Sequence, residues 1–282
     1  GDYAAARPMY ERALTIFEQA LGPAHPLVAT SLSNLAGLLQ DTGDYTAAVV
    51  LYDRALGIRE QALGLTHPDV ALGLNNLANV LQATGDYAAA RPMYERALTI
   101  FDQVLGPAHP HVATGLNNLA LLLLATGDYA AARPLHDRAL QMKEQVLGPS
   151  HPDVGLALNN LALLLHSIGD YAAAKPLYER GLGISEQALG PTHPSVATVL
   201  RNLAIVDWEA GRLQEAVPGL ARALAIERSL AVRGLVGLSH RQKLAFLGRT
   251  NRVAYAFMSV PPGLAPNGDA YRVVLDRKNL LF

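Results

Sequence analysis

The chain of 282 residues contains no cysteine, which excludes disulfides, thiolate metal sites and a cysteine nucleophile, and fits a reducing compartment. It has no excess of either charge: 23 Lys and Arg stand against 24 Asp and Glu. The basic clusters that grip phosphates are missing, so a nucleic-acid partner is not expected. Long apolar runs are missing too. The longest, Leu119 to Ala125, stops at Thr126, well short of the roughly 18 residues of a membrane span. There is no initiator methionine, and Gly1-Asp2-Tyr3 begins no signal peptide. The chain therefore reads as a cytoplasmic fragment of something longer. Half of its residues are hydrophobic (50%), enough for one large or two ordinary cores, and disorder is excluded for most of it.

What the chain does have is internal periodicity, the first thing to establish in a sequence of this kind. The triplet Gly-Asp-Tyr recurs at Gly1, Gly43, Gly85, Gly127 and Gly169, a step of 42 residues, with a degenerate Gly211-Arg212-Leu213 at the sixth place. Other columns keep the step: Arg12, Arg54, Arg96, Arg138, Arg180 and Arg222; the His-Pro pairs at His25, His67, His109, His151 and His193; and Asn34, Asn76, Asn118, Asn160 and Asn202, each before Leu-Ala.

Each unit reads as two helices. The first runs from about Pro26 to Gln40, with Leu32, Leu35, Ala36 and Leu39 on one stripe. Gly43 permits the turn and Asp44 caps the second helix, Tyr45 to Leu63, which Gly64 ends. Proline after each His suits a first helical turn. Small residues at Ala48 and Ala55 allow close approach, with Tyr52 filling the space between helices. Pro8, Pro92, Pro134, Pro176 and Pro218 fall inside second helices, where a lost hydrogen bond predicts a slight bend or a late helix start. The expected fold is all-α: a right-handed superhelical solenoid of five first and six second helices over residues 1–230, with a short helical extension over 231–282. Its first unit lacks a first helix, and the uncapped end is expected to self-associate.

The pattern resembles the tetratricopeptide repeat, in the 42-residue form of the kinesin light chain. The residues that carry the likeness are Asn76-Leu-Ala, Gly85-Asp-Tyr, Tyr94-x-Arg-Ala-Leu and Leu105-Gly-x-x-His-Pro110. The tail has a second likeness. Ser239-His240-Arg241-Gln242-Lys243-Leu244-Ala245-Phe246-Leu247, with Val274 to Leu280, is similar to the segment that precedes the protease-like domain of tetratricopeptide-CHAT proteins. That likeness implies a caspase-like His/Cys domain downstream. In the tail a helix is expected from about His240 to Met258, and another capped by Asp269.

Three positions of each first helix, four and then three residues apart, share a face and are the expected peptide groove. They are Ser33, Gly37 and Gln40; Asn75, Asn79 and Gln82; Asn117, Leu121 and Leu124; Asn159, Leu163 and His166; and Arg201, Ile205 and Trp208. An asparagine amide donates and accepts at once and so suits a bound main chain. The kinesin light chain resemblance implies that use for Asn34, Asn76, Asn118, Asn160 and Asn202. The competing reading is that these amides bond neighbouring helices; the extra Asn75, Asn117 and Asn159 favour binding. The groove is polar at its amino end and apolar from Leu121 to Trp208, either to seat an apolar anchor of the ligand or to be covered by Phe246, Leu247, Phe257 and Met258 of the tail.

The histidine column is structural on this reading, because helices about 8–10 Å apart cannot share an ion held at about 2.1 Å. No metal, cofactor or catalytic residue is expected: there is no Gly-x-x-x-x-Gly-Lys loop and no Gly-x-Ser-x-Gly elbow. The arginine column reads as a solvated ion-pair face beside Glu11, Asp53, Glu95, Asp137 and Glu179, with anion binding as the alternative. The expected function is a scaffold for a protein or peptide ligand, the sensor or regulatory part of a larger protein. The control module of a caspase-like protease and a structural spacer are the alternatives.

Overall fold

The computed structural model describes residues 3–235, and among them every regular element is an α-helix. The eleven described helices are α1 (Tyr3–Leu21), α2 (Pro26–Asp41), α3 (Tyr45–Leu63), α4 (Pro68–Ala83), α5 (Tyr87–Leu105), α6 (Pro110–Ala125), α7 (Tyr129–Leu147), α8 (Pro152–Ser167), α9 (Tyr171–Leu189), α10 (Pro194–Glu209) and α11 (Leu213–Leu235). Even-numbered helices are the first helices of the repeat and odd-numbered ones the second, five and six of them as expected. The expected array end at residue 230 falls within α11, and the expected tail helices lie outside the described residues.

The Gly-Asp pair performs two tasks at each first-to-second turn. Gly43 sits at φ +86°, a conformation that strains any residue with a Cβ. There its N–H donates to the Gln40 carbonyl while the Asp44 N–H reaches back to Leu39, the pairing that satisfies the last carbonyls of a helix. The Asp44 carboxylate then accepts from the Ala47 N–H at 3.3 Å and caps α3. At the opposite turn the cap is the histidine of the His-Pro pair. His67 Nδ1 accepts from the Asp69 N–H at 3.1 Å, and His25, His109, His151 and His193 do the same two residues on. The histidine column is therefore a set of helix caps, its proton on Nε2 and its Nδ1 lone pair turned to the backbone.

The prolines do not delay the second helices. α5 begins at Tyr87 and runs through Pro92, just as the proline-free α3 begins at Tyr45. The bond that Pro92 cannot make would have gone to Ala88, and both residues are exposed, so water serves the freed carbonyl at low cost.

The chain divides into two compact units, Gly1–Gly169 and Asp170–Phe282. In the first unit each helix from α1 to α7 packs on the next, and α4–α6 and α6–α8 also touch as neighbouring first helices. α4 buries Val70, Ala71, Leu74, Leu77 and Ala78, a stripe at helical spacing whose large members contribute about 1.5–3 kcal/mol each. The core continues through Tyr52, Phe101, Val112 and Leu116. In the second unit α10 packs on α9 and α11, around Val196, Leu200, Ala223 and Ile226.

Replacing Gly85, at φ +85°, with Ala should lower stability by about 1 kcal/mol. Gly57→Ala, inside α3 with nothing within 4 Å of a new Cβ, should raise it by about 0.5–1 kcal/mol. Urea midpoints of the two variants should therefore move in opposite directions.

Candidate functional site on the first-helix face

In the first unit each first helix turns one stripe to the core and keeps a second, half-exposed row. That row consists of Ser33, Gly37 and Gln40 in α2, Asn79 and Gln82 in α4, Asn117, Leu121 and Leu124 in α6, and Leu163 and His166 in α8. Asn75 and Asn159 are not part of it. Both are buried, because the asparagines form a chain of amides from one first helix to the next. Asn118 Nδ2 donates to Asn75 Oδ1 at 3.0 Å, and Asn160 Nδ2 donates to Asn117 Oδ1 at 2.7 Å. Within α8, Asn159 Nδ2 donates to Asn160 Oδ1 at 3.3 Å. In Asn75, Asn117, Asn118 and Asn160 the amides bond neighbouring helices. The chain stops at α2, where Ser33 stands in the place of Asn75; Asn34 there is exposed and Asn76 half-buried.

Behind the half-exposed row runs a second column, Tyr52, Tyr94 and His136 of α3, α5 and α7, of which Tyr52 was expected to fill the space between helices. Tyr94 is 1% exposed, and burial holds its hydroxyl well above the usual phenol range. Its hydroxyl lies 2.5 Å from Asn79 Oδ1 and 3.0 Å from Gln82 Oε1. A phenol has one proton, so it donates to one amide oxygen, and the other amide must turn its NH2 toward the ring oxygen. Whichever amide turns, the pair presents one free NH2 and one free C=O outward. The signal in the sequence was the coincidence of Tyr94 with two amides, Asn79 and Gln82, in the one repeat that has both.

His136 occupies the same place one repeat on, where the row is Leu121 and Leu124. It is buried, its Nε2 has no hydrogen-bond partner, and burial pushes its pKa down to about 4. A neutral imidazole there belongs with the apolar part of the row.

In the second unit, Arg201 of the expected groove pairs with Glu227 at 2.9 Å. Trp208 is half-buried against the cluster of Ala204, Ala216 and Leu220, which makes it part of that unit's own packing. Ile205 and Asn202 are half-buried. Asp207, in the place that Leu39, Leu81 and Leu123 fill in earlier repeats, is buried and held by Lys175 Nζ at 3.0 Å and Arg212 Nε at 2.8 Å.

The arginine column pairs differently from the expectation. Arg54 bonds Glu18, and Arg96 bonds Glu60, both at 2.6 Å, and Arg138 bonds Asp102 at 2.5 Å. Each acid lies 36 residues back, at the end of the preceding second helix. Of the adjacent acids, Glu11, Glu95, Asp137 and Glu179 instead pair along their own helices, as Arg91 with Glu95 at 2.8 Å. Successive repeats bring these residues together, and exposure keeps each pair weak. Among the described residues no group of three or more His, Asp or Glu is placed to hold a metal, and no helix is long and apolar enough to cross a membrane.

From α2 to α10 these repeats are helix pairs whose first helices are all capped by a histidine and whose second helices are all capped by an aspartate. The family model for the tetratricopeptide repeat matches residues 1–61, 29–103, 69–145, 111–187 and 153–229. The chain belongs to the tetratricopeptide repeat family. Among solved structures it is similar to BtubC (BKLC) from P. vanneervenii, with 27% identity over 81% of this chain and 90% of that one and a TM-score of 0.66. It is also similar to the nearly identical TPR-like repeats assigned to a kinesin light chain of Podosopora anserina, at 26% identity over 73% and 98% of the two chains, TM-score 0.62. A Rap protein complexed with competence and sporulation factor shares the fold at 14% identity, covering 86% of this chain and 68% of that one, TM-score 0.65. None of the curated proteins matches the chain.

Two measurements probe this region. Asn118→Ala leaves the buried Asn75 oxygen without its donor and should cost about 1–2 kcal/mol in urea unfolding. His136 is neutral when folded, whereas an unfolded histidine titrates near 6.5. Below about pH 6.5 the unfolded chain therefore takes up a proton that the folded chain refuses. Stability should fall as the pH drops from about 6.5 to 4, by up to about 3 kcal/mol from this residue, and His136→Phe should flatten that part of the profile.

Proposed function

We propose that the half-exposed first-helix row of the first unit binds an extended polypeptide, and that the chain is an interaction scaffold serving as the sensor or regulatory part of a larger protein. The observation that carries this reading is the amide pair of Asn79 and Gln82 held by the buried Tyr94 hydroxyl. An extended main chain offers a C=O and an N–H, and the pair offers one donor and one acceptor in fixed positions. Leu121, Leu124 and Leu163 continue the row with half-exposed apolar side chains, which suit an apolar residue of the same ligand. The Rap protein of the same fold is itself complexed with competence and sporulation factor. Of the asparagines first expected to grip the ligand, Asn117 and Asn118 serve stacking first and are secondary contacts in this proposal, while Asn75, Asn159 and Asn160 serve it from buried positions.

The alternative of a structural spacer draws on the same amide chain, since most of those side chains are consumed between helices. Peptides selected from a random 12-residue display library against the full chain separate the two. With Asn79→Ala plus Gln82→Ala the affinity of selected peptides should fall about 10-fold, the loss of one to two hydrogen bonds, while Arg133→Ala on the exposed side of α7 leaves it unchanged. Binding that ignores the amide pair, or no selected peptide at all, favours the spacer.

A further inference from the structure

The row position that carries Asn79 in α4 carries Gly37 in α2 and Leu121 in α6. In α4 the position is filled and satisfied, with the Asn79 amide oxygen 2.5 Å from the Tyr94 hydroxyl. In α2 nothing fills it. A Cβ built on Gly37 would stand 3.4 Å from the Tyr52 hydroxyl, with nothing further outside its own helix backbone within 4 Å. Gly37 is half-exposed, so the space opens on the same side as the rest of the row. The result is a notch the size of one missing side chain, with a phenol hydroxyl at its floor.

That hydroxyl is unspent. Tyr52 is 6% exposed and its ring belongs to the core, yet its hydroxyl makes no hydrogen bond among the described residues. Nor is it sealed off: the Tyr178 hydroxyl is enclosed without a partner, whereas that of Tyr52 keeps contact with solvent. Gln40 stands where Gln82 reaches Tyr94 one repeat on, and its side-chain amide also has no partner among the described residues. Burial raises the pKa of the Tyr52 hydroxyl, the charge of Asp41 raises it further, and Arg59 opposes that rise. The hydroxyl is therefore neutral, with a proton to give and a lone pair to receive. The nearby Asp41 disfavours a second carboxylate there.

We propose that the notch between Gly37 and Tyr52 seats a carboxamide side chain of the bound polypeptide, an Asn or Gln, in the place that Asn79 fills from within the protein one repeat on. The proposal rests on the peptide reading of the first-helix row and adds to it the identity of one ligand residue. The carboxamide C=O accepts the Tyr52 proton, and its NH2 is left to donate toward Gln40 or water. The hydroxyl is already fixed by a buried ring, so it loses little freedom on binding. An alanine in the ligand would leave it unpaired, and an aspartate would bring a charge toward Asp41.

The test uses the full chain and peptides selected by the wild type from the random display library. The selected peptides should share an Asn or Gln, and replacing it with Ala or Asp should weaken wild-type binding about 10-fold. Gly37→Asn supplies the amide from the protein, as α4 does. It should raise the melting temperature by about 2 °C, because asparagine is a better helix former than glycine and reaches the hydroxyl. It should also bind the original and the Ala-substituted peptide within about 2-fold of each other, as expected when the two groups compete for one place. Tyr52→Phe keeps the ring, removes the hydroxyl and should likewise erase the difference. Selected peptides with no shared Asn or Gln, a 10-fold difference that survives in either variant, or a melting temperature lowered by Gly37→Asn overturns the notch alone. If no peptide is selected, the peptide reading fails and the notch with it.

Discussion

No helix in this chain covers its own apolar stripe, and that constraint shapes everything else. A first helix such as α4 has core-facing residues that must meet both the preceding and the following second helix. The fold therefore grows by adjacency, each repeat supplying the cover that the previous one lacks. The turns must be nearly identical for this to continue. Gly43 with Asp44, and His67 with Pro68, hold the two kinds of turn in the same geometry through the array. The columns that look decorative in the sequence are the joints of the stack.

The same adjacency decides which polar groups are available to a partner. An amide on a first helix has two uses: it can bond the neighbouring first helix or face outward. Asn75, Asn117, Asn118 and Asn160 take the first use, whereas Asn79 and Gln82, one turn farther along, are turned the other way by Tyr94. The proposed binding surface is thus set by which amides stacking leaves over. The arginines follow the same logic. Those with an acid 36 residues earlier are spent between repeats.

Much of the fold was legible because it is local and repeated. The helix ends at Tyr45 and Leu63, the left-handed glycine and the aspartate cap all follow from short-range chemistry, and a 42-residue echo multiplies a weak signal. The role of the His-Pro histidine was half-legible: the column read as structural, but the Nδ1 cap depends on a backbone angle that the sequence does not display. The continuous run of α5 through Pro92 was decided by exposure of the freed carbonyl, again a property of the surface. The candidate site was less legible. Counting residues along one helix places Asn75 and Asn79 on the same face, but the neighbouring helix takes Asn75 into the interior and leaves Asn79 at the surface.

The sequence by itself determined the repeat, the helices and their caps, because those rest on contacts within a few residues and on one spacing kept without insertion. Only the tertiary structure decided the partners: that Arg96 meets Glu60 and that Asn118 meets Asn75. A side chain reaches across to a neighbouring helix at a height set by packing, and residues 26, 36 or 43 positions apart become neighbours only when the stack exists.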